Sequence, residues 1–317
     1  MQYRRLGKSG IKVSEIALGS WLTYGTVTQQ AVGEACVHKA YELGINHFDC
    51  ANAYGSEPHA AERFLKHALT PFSRESYVLT SKAFWPVGPT ANDKGLSRKH
   101  LIHQVNESLR ALGTDYLDIF YCHRYDPETE IEEVLYTLDD LVRQGKILYP
   151  GISEWPVAKI AEAIQIVEKR GLHRIRASQP VYNLFNRYIE EGVLPLCEEN
   201  GMGLVVFSPL AQGLLTGKYR RGQAIPEGSR AATPQVSGSI TRMLEDKTYD
   251  RIEGLLALAE ELDMSLSQLA LAWVLRQSGI ASALIGASRP EQVIENVQAV
   301  GKTLSSDVLE RIETILG

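Results

Sequence analysis

Two kinds of hydrophobic pattern alternate along the whole chain. Short runs of β-branched and aromatic residues predict strands, and longer segments between them carry apolar residues every three or four positions, as on one face of a helix. This alternation is typical of repeated βα units around a parallel sheet. The predicted strands number eight and lie at residues 15–21, 46–51, 77–83, 117–124, 147–153, 177–182, 203–209 and 281–287.

The predicted helices have recognisable ends. Ser97 is a possible N-cap and Gly113 a C-terminal stop for one segment of helical periodicity. Ser265 and Gln268 have the spacing of a capping box at the start of another helix. Further helices are predicted at residues 28–43, 131–144, 156–170 and 290–300.

The spacing of the strands favours a closed barrel over a doubly wound sheet. The strands recur at a nearly regular interval of about 30 to 40 residues, and no linker divides the chain. We therefore expect a single domain over residues 1–317, with the fold of a (β/α)8 TIM barrel. Ahead of the first strand, short strand-like segments flank Gly7 and Gly10, which indicates an N-terminal β-hairpin that plugs the barrel floor.

One interval between strands is irregular. Residues 216–239, between strands seven and eight, are rich in Gly, Pro, Ser and Arg and show no clear periodicity. A segment of this length is either functional or disordered. We expect a long lid loop, and disorder is the alternative.

The composition mainly excludes classes of protein and kinds of site. The chain has 33 Lys plus Arg against 38 Asp plus Glu, a formal charge of -5, and no basic run, so we expect no nucleic-acid partner. No stretch reaches the ~20 apolar residues of a membrane span, and the first residues lack the apolar stretch of a signal peptide. The four cysteines are scattered, which argues against both a zinc site and a disulfide scaffold. A cytoplasmic protein without membrane insertion is expected.

Polar residues follow the apolar strands at the ends where a barrel builds its active site. They include Asp49, Lys82 and His123, with Tyr54 in the loop after the second strand. These four residues suit proton transfer to a carbonyl oxygen as hydride reaches its carbon. A lysine ammonium touching the Tyr54 oxygen would lower the phenol's pKa, and Asp49 would hold that lysine. His123 would polarise or orient the carbonyl from the other side.

Each of the four residues also has an ordinary structural interpretation. Asp49 is suited to capping a helix, and Lys82 to a surface ion pair. Tyr54 can be a packed aromatic residue, and His123 a histidine bonded to a backbone carbonyl. Composition does not choose between these interpretations and the catalytic one.

Several motifs resemble those of the aldo-keto reductase superfamily. The runs at residues 44–49 (GINHFD), 53–55 (AYG) and 80–82 (TSK) are similar to that family's signature. The runs at residues 3–10 (YRRLGKSG), 95–100 (GLSRKH), 207–211 (FSPLA) and 284–288 (LIGAS) resemble the potassium-channel β-subunit group and its bacterial reductase relatives. The resemblance covers nearly the whole chain.

The resemblance implies NADPH-dependent reduction of aldehydes or ketones to alcohols, with Tyr54 as proton donor in a catalytic tetrad completed by Asp49, Lys82 and His123. It implies no Rossmann domain, in agreement with the absence of a G-x-G-x-x-G run. Similar proteins include monomers, tetramers and octamers, so a homo-oligomer is possible. The cofactor-binding positions that it implies are Ser20, Trp21, Asp49, Ser153, Gln179, Phe207, Ser208, Pro209, Leu210, Gln212, Gly213, Lys218, Arg230, Gly286, Ser288, Arg289, Gln292, Glu295 and Asn296.

Some of these positions have a structural alternative. Phe207 matches the aromatic residue that stacks on nicotinamide and is otherwise core, and Trp21 is otherwise a packing residue at the barrel top. Glu295 and Asn296 also suit a solvated helix face. Arg289, just before a predicted helix start, suits a 2'-phosphate and so a preference for NADPH over NADH; its alternative is a solvated cation.

The substrate is expected to be a small aldehyde. Tyr125 and the pocket residues Trp21, Tyr54, Phe84, Trp85 and His123 predict a largely aromatic wall.

Two positions depart from patterns of the resembling group. Glu154 stands where many relatives have Asn or Arg, so hydrogen bonding near the nicotinamide is open. In the channel β subunits the position of His123 carries Asn, and the histidine therefore favours a working reductase. The alternative function is a redox-sensing regulatory subunit that binds NADPH tightly and turns over slowly. A metal-dependent hydrolase would need clustered ligands, which His123 alone does not provide.

Overall fold

The structure, a computed structural model, describes residues 1–26, 28–234, 237–241 and 243–317. An antiparallel hairpin of β1 (Tyr3–Arg5) and β2 (Lys12–Ser14) precedes the barrel. The barrel strands are β3 (Ile16–Gly19), β4 (His47–Asp49), β5 (Val78–Ala83), β6 (Leu117–Cys122), β7 (Ile147–Ile152), β8 (Ala177–Ser178), β9 (Gly203–Phe207) and β10 (Ile280–Ile285). Each pairs in parallel with its neighbours, and β10 closes the barrel onto β3. The predicted (β/α)8 barrel with an N-terminal hairpin is confirmed.

Helices surround this barrel. In the described residues they are α1 (Gln30–Glu42), α2 (Ala60–Leu69), α3 (Arg98–Leu112), α4 (Ile131–Arg143), α5 (Val157–Arg170), α6 (Val193–Glu199), α7 (Gly238–Thr241), α8 (Asp246–Glu261), α9 (Leu266–Leu275), α10 (Pro290–Val297) and α11 (Ser306–Leu316). The predicted ends are present: the Ser97 hydroxyl accepts from the His100 amide, and Gly113 ends α3 in the left-handed conformation. Ser265 and Gln268 form the capping box of α9.

The hairpin closes the amino-terminal end of the barrel. Leu6 and Val13 are fully buried and pack into the same apolar cluster as Ile119 and Val205 of the barrel strands. Gly7, at a φ of +56°, lies so close to the turn before β9 that an added Cβ would meet the Gly201 carbonyl oxygen at 2.3 Å. The floor plug expected from the sequence is therefore present.

Each barrel strand is shorter than the run that predicted it, and for two of them the backbone shows the reason. β8 ends at Ser178 although the run continues to residue 182, because Pro180 has no N–H to continue the ladder. β9 ends at Phe207 because the next residue, Ser208, turns into the left-handed region at a φ of +52°. Both strands thus release the chain into loops at the carboxyl end of the barrel.

The irregular segment after β9 is packed along much of its length. Tyr219 is buried and its hydroxyl accepts a hydrogen bond from the Ala231 amide at 3.2 Å, while Arg221 pairs with Asp246 on α8 at 2.8 Å. Within the predicted lid, Gln235 and Val236 lie outside the described residues. A lid function for residues 216–239 and the single domain over 1–317 stay predictions.

Candidate active site

A cleft of about 730 Å³ opens at the carboxyl ends of the barrel strands. It is formed by strand ends, by the loop after β9 and by the start of α10, as the alternation of strands and helices requires. All the predicted cofactor and pocket positions except Ser20 and Phe84 line it, and so do three members of the predicted tetrad. The fourth member, Lys82, lies directly behind the wall.

The centre of the site is an ion pair inside the barrel. The Lys82 Nζ atom is fully buried, 2.5 Å from Asp49 Oδ2 and 2.7 Å from the Cys50 carbonyl oxygen. The other carboxylate oxygen, Asp49 Oδ1, accepts from Thr80 Oγ1 at 2.6 Å and from Gln179 Nε2 at 3.0 Å. Both charges are therefore paired and hydrogen-bonded, the condition under which buried ions are tolerated.

A second buried carboxylate joins strand β5 to the loop that carries Tyr54. Glu62 on α2 is fully buried; its Oε1 accepts from the Ser81 hydroxyl and its Oε2 lies 2.5 Å from His59 Nδ1. Ser81 directly precedes Lys82, and His59 donates its backbone N–H to the Asn52 carbonyl within the loop. This bridge holds the lysine strand and the tyrosine loop in one arrangement.

The Tyr54 hydroxyl contacts His123 rather than Lys82. Its oxygen lies 3.1 Å from His123 Nε2, whereas the Lys82 ammonium lies over the tyrosine ring, 4.9 Å from its centroid. Burial, followed by the nearby Asp49 carboxylate, raises the pKa of Tyr54 well above its usual value. The expectations of a lysine–phenol contact and a lowered pKa are wrong, because the ammonium is turned toward the Asp49 carboxylate and the Cys50 carbonyl.

His123 is held in its neutral form. It is buried, and burial together with the positive charges of Lys82 and Arg124 lowers its pKa well below the ordinary value. Its Nδ1 atom has no partner among the described residues. A neutral imidazole beside Tyr54 can exchange a hydrogen bond with the phenol or with a carbonyl oxygen in the cleft.

Beneath this group the barrel interior holds further polar side chains. His47, two residues before Asp49 on β4, is fully buried with neither ring nitrogen bonded in the described structure, and burial lowers its pKa to about 4. Tyr121 is also fully buried there, and Gly151 makes room for it, since an added Cβ would lie 2.5 Å from the tyrosine ring. The floor of the site is thus densely packed.

The loop after β9 has an unusual backbone. Ser208, Ala211, Gln212 and Gly213 all have positive φ values, from 46° to 104°. The Asn183 side chain donates to the Ser208 carbonyl at 2.9 Å and supports the turn. Left-handed residues in a loop can turn successive backbone N–H groups toward one point, which is how such loops bind phosphates.

Three cations gather at this end of the cleft. Burial, then the charges of Arg230 and Arg289, lowers the pKa of Lys218, and burial lowers the pKa of Arg230. No carboxylate within the described residues forms an ion pair with any of the three, and all line the cleft. Adjacent unneutralised cations favour an anionic ligand.

Some predicted residues lie outside the cleft wall. Ser20 donates from its hydroxyl to the Asp49 carbonyl at 2.9 Å and supports that strand end from behind. Phe84 packs edge-on against Trp85, and Tyr125 packs against Trp155, so neither contributes to the cleft surface. Beyond a strand end the alternation of side chains no longer sets their direction, and a substrate contact for Phe84 stays a prediction.

The open question at Glu154 is answered by its partners. Its Oε1 accepts from the Val181 amide at 2.6 Å and from the Tyr188 hydroxyl at 3.0 Å, and it is not part of the cleft wall. The carboxylate therefore binds the chain after β8 and is not part of the cleft surface.

The sequence interpretation missed several residues of the wall. The polar ones are Thr23, Thr28, Arg124, Thr216, Thr233 and Ser267. Arg124 follows His123 directly, just after β6, and a polar residue at a strand end was the sequence feature that could have predicted it. Its Nη1 donates to the His123 carbonyl at 2.5 Å.

The described residues offer neither a metal centre nor a membrane-spanning helix. No group of three or more His, Cys, Asp or Glu side chains there is placed to hold a metal ion. No helix within the same residues is long and apolar enough to cross a membrane.

Comparison with known proteins identifies clear relatives. The model of the Aldo/keto reductase family matches residues 15–316. L-glyceraldehyde 3-phosphate reductase of Escherichia coli (strain K12) is 38% identical over 321 aligned positions, covering 99% of this chain and 92% of that protein. A probable voltage-gated potassium channel subunit beta of Oryza sativa subsp. japonica is 37% identical over 321 positions, covering 100% and 97%. A putative subunit of the same kind from Schizosaccharomyces pombe is 39% identical over 323 positions, covering 99% and 93%.

The depressed pKa of His47 predicts how stability changes with pH. The unfolded chain takes up this proton near the ordinary value of about 6.5, but the folded protein takes it up only near pH 4, so stability is lost as pH falls between the two. We expect wild type to lose about 3 kcal/mol more unfolding free energy than His47→Leu between pH 7 and pH 4.

Urea unfolding at a series of pH values measures this difference. The control is His103→Leu, at a histidine whose side chain is 63% exposed. Its unfolding free energy should change with pH as that of wild type does. The same slope in wild type and His47→Leu would contradict the assignment.

Proposed function

Because the chain belongs to the aldo/keto reductase family, we propose that it reduces small aldehydes to alcohols with NADPH and that Tyr54 donates the proton. The family makes it an oxidoreductase acting on carbonyl groups with NAD(P)H; the substrate, the phosphate-bearing cofactor and the proton donor are the proposal. The observation that carries the proposal is the 3.1 Å contact between the Tyr54 hydroxyl and His123 Nε2. Both residues line the cleft, beside the buried Asp49–Lys82 pair.

The residues of the cleft fit a dinucleotide phosphate. Three cations without a carboxylate partner lie at one end, beside a loop of left-handed residues, and the tetrad lies at the other. Phe207 offers an aromatic face, and the Ser153 hydroxyl, which donates to the Gln179 carbonyl at 2.7 Å, offers a polar edge between the two ends. When bound, NADPH supplies the hydride that the carbonyl carbon receives.

Tyr54 is suited to hold a proton until it is needed. Its raised pKa keeps the phenol protonated at neutral pH, so the hydroxyl is a donor throughout the physiological range. As charge develops on the carbonyl oxygen and the proton leaves, the ring becomes negative beneath the Lys82 ammonium 4.9 Å away. That cation stabilises the phenolate selectively, which is the kind of stabilisation that raises rate.

Neutral His123 orients the reacting oxygen. It bonds the Tyr54 oxygen from one side, and its depressed pKa prevents it from adding a further positive charge to the site. A carbonyl oxygen within reach of both groups would receive two hydrogen bonds. Trp85 lies edge-on to His123, with ring centroids 6.2 Å apart, and forms the neighbouring part of the wall.

The cation cluster supports the choice of NADPH over NADH. Arg289 directly precedes the N-terminus of α10, the positive end of the helix dipole, and the Ser288 amide donates to Gln292 Oε1 at 2.8 Å. A guanidinium here can bind two oxygens of a 2'-phosphate at once.

The alternative is a regulatory subunit that binds NADPH and turns over slowly. Two relatives carry a channel-subunit name, and this keeps the alternative open for this chain. The histidine contact with Tyr54 favours the reductase, because it supplies a second group for the carbonyl oxygen. Turnover of every aldehyde below about once per minute, against the roughly 1 to 1000 per second of typical enzymes, would favour the regulatory subunit.

Substitution of the donor tests the reductase assignment. Tyr54→Phe removes the proton and leaves the ring beneath Lys82, so we expect kcat to fall at least ~100-fold while the Kd for NADPH stays within a factor of about two. Stopped-flow NADPH oxidation and fluorescence titration measure the two quantities. Tyr125→Phe, outside the cleft wall, is the matched control, and near-normal turnover by Tyr54→Phe would sink the proton-donor role.

Substitution of Arg289 tests the cofactor preference. Arg289→Ala should weaken NADPH binding by about 10- to 150-fold and leave NADH binding nearly unchanged, because only NADPH carries the 2'-phosphate. Arg220→Ala removes an exposed arginine of the same region that does not line the cleft, and it should change neither Kd. An equal loss for both dinucleotides would show that Arg289 acts on another group.

A further inference from the structure

The cleft contains a cation that the cofactor proposal does not use. Its wall carries four Lys and Arg side chains against two carboxylates, among the residues that the structure describes. One carboxylate, Asp49, is already neutralised by Lys82. The cations are Lys218, Arg230, Arg289 and Arg124.

These four cations separate into two places. Lys218 has its pKa lowered by the charges of Arg230 and Arg289, so these three lie together at the end assigned to phosphate. Arg124 acts elsewhere: its charge lowers the pKa of His123 and opposes the rise in the pKa of Tyr54. Among the described cations of the wall, Arg124 is therefore the one beside the groups proposed to bind the carbonyl.

The guanidinium of Arg124 is only partly engaged. Its Nη1 atom donates to the His123 carbonyl at 2.5 Å and more weakly to Ser153 Oγ at 3.4 Å. Within the described residues its Nη2 and Nε atoms have no hydrogen-bond partner, and no carboxylate pairs with it. The guanidinium therefore retains free N–H donors, and its positive charge has no carboxylate partner among the described residues.

The nearest candidate for a neutralising acid is committed elsewhere. Glu154 follows Ser153, but its carboxylate accepts from the Val181 amide and the Tyr188 hydroxyl. On its other side Arg124 lies 5.5 Å from the centre of the Trp85 ring, which supplies no counter-charge. The charges of Glu154 and Arg124 both act on Tyr188, but within the described residues the two side chains form no ion pair. An anion that enters here meets a cation with spare donors.

We infer that Arg124 binds an acidic group of the substrate, so that the aldehydes this enzyme prefers carry a carboxylate or a phosphate. The inference rests on the proposed reductase function. A planar guanidinium suits either anion because two N–H groups can donate to two oxygens in parallel. The carbonyl to be reduced then lies next to Tyr54 and His123, with the acidic group held on the Trp85 side.

Two other roles for Arg124 make different predictions. A residue that only supports the His123 backbone would affect all substrates equally when it is changed. A residue that holds the cofactor would raise the KM for NADPH whichever aldehyde is used. Only a residue that binds the anionic group changes the ratio of kcat/KM between charged and neutral substrates.

Paired aldehydes of matched shape test the assignment. 4-Carboxybenzaldehyde and 4-nitrobenzaldehyde carry planar groups of similar size that differ in charge, and glyceraldehyde 3-phosphate with glyceraldehyde forms the phosphate pair. We expect wild type to prefer the charged member of at least one pair. Arg124→Gln should lower kcat/KM for that member by about 10- to 100-fold and for its neutral partner by less than about threefold.

Two further variants sharpen the result. Arg124→Lys keeps the charge and should retain most of the preference for the anion. Lys159→Gln removes a nearby cation that pairs with Glu162 and does not line the cleft, and it should behave as wild type. The product alcohol 4-(hydroxymethyl)benzoate provides a separate binding measurement through tryptophan fluorescence, because Trp85 lies beside the guanidinium.

The outcomes are distinguishable. Equal losses for charged and neutral aldehydes, a raised KM for NADPH, or a wild-type preference for the neutral members would each overturn the assignment. If no aldehyde is reduced, the proposed function fails. Arg124-dependent binding of the benzoate would then still support the anion site, and binding unaffected by Arg124→Gln would remove it.

Discussion

The buried ion pair between Asp49 and Lys82 is the interaction on which the rest of the site depends. Each charge alone would lose several kcal/mol of hydration inside the barrel, so the pair persists only because hydroxyl, amide and carbonyl partners complete its hydrogen bonds. Those partners come from β4, β5 and the chain just after β8, and the closed barrel brings them together. The ion pair can therefore obtain its hydrogen-bond partners only when the barrel is closed.

The consequences of the pair extend to the groups that face the cleft. The ammonium contributes to the low pKa of His123, and the carboxylate contributes to the high pKa of Tyr54. Both effects keep these residues neutral. Among the described wall residues, Arg124 is then the unpaired charge beside Tyr54 and His123, and three cations lie at the other end. A ligand with an anionic dinucleotide at one end and an acidic aldehyde at the other matches this distribution.

Much of the fold followed from the sequence because its patterns are local. Apolar runs located the eight strands, and Ser97 and Ser265 marked helix starts through hydrogen bonds within four residues. Parallel strands present their carboxyl ends at one face, so polar residues at strand ends predicted the neighbourhood of Asp49, Lys82 and His123. The resemblance to a family added most of the predicted cofactor positions, and these line the cleft.

What the sequence did not predict depends on side-chain direction and on contacts between distant residues. Nothing local indicates that Lys82 turns its ammonium to Asp49 and Cys50 instead of the Tyr54 oxygen, or that Glu154 binds the Val181 amide. Phe84 lies beyond its strand, where alternation no longer applies, and it packs behind Trp85. The bridge from Glu62 to Ser81 and His59 spans three elements and has no signature in the sequence.

A double-mutant cycle on the buried pair tests the central claim that Asp49 and Lys82 act as one unit on Tyr54. The measurement is the single-turnover rate of 4-nitrobenzaldehyde reduction by wild type, Asp49→Asn, Lys82→Met and the double variant, each saturated with NADPH. The account predicts that each single change lowers the rate at least ~100-fold and that the double variant loses no more than either single one. Losses that multiply in the double variant would show that the two residues act independently and would contradict the account.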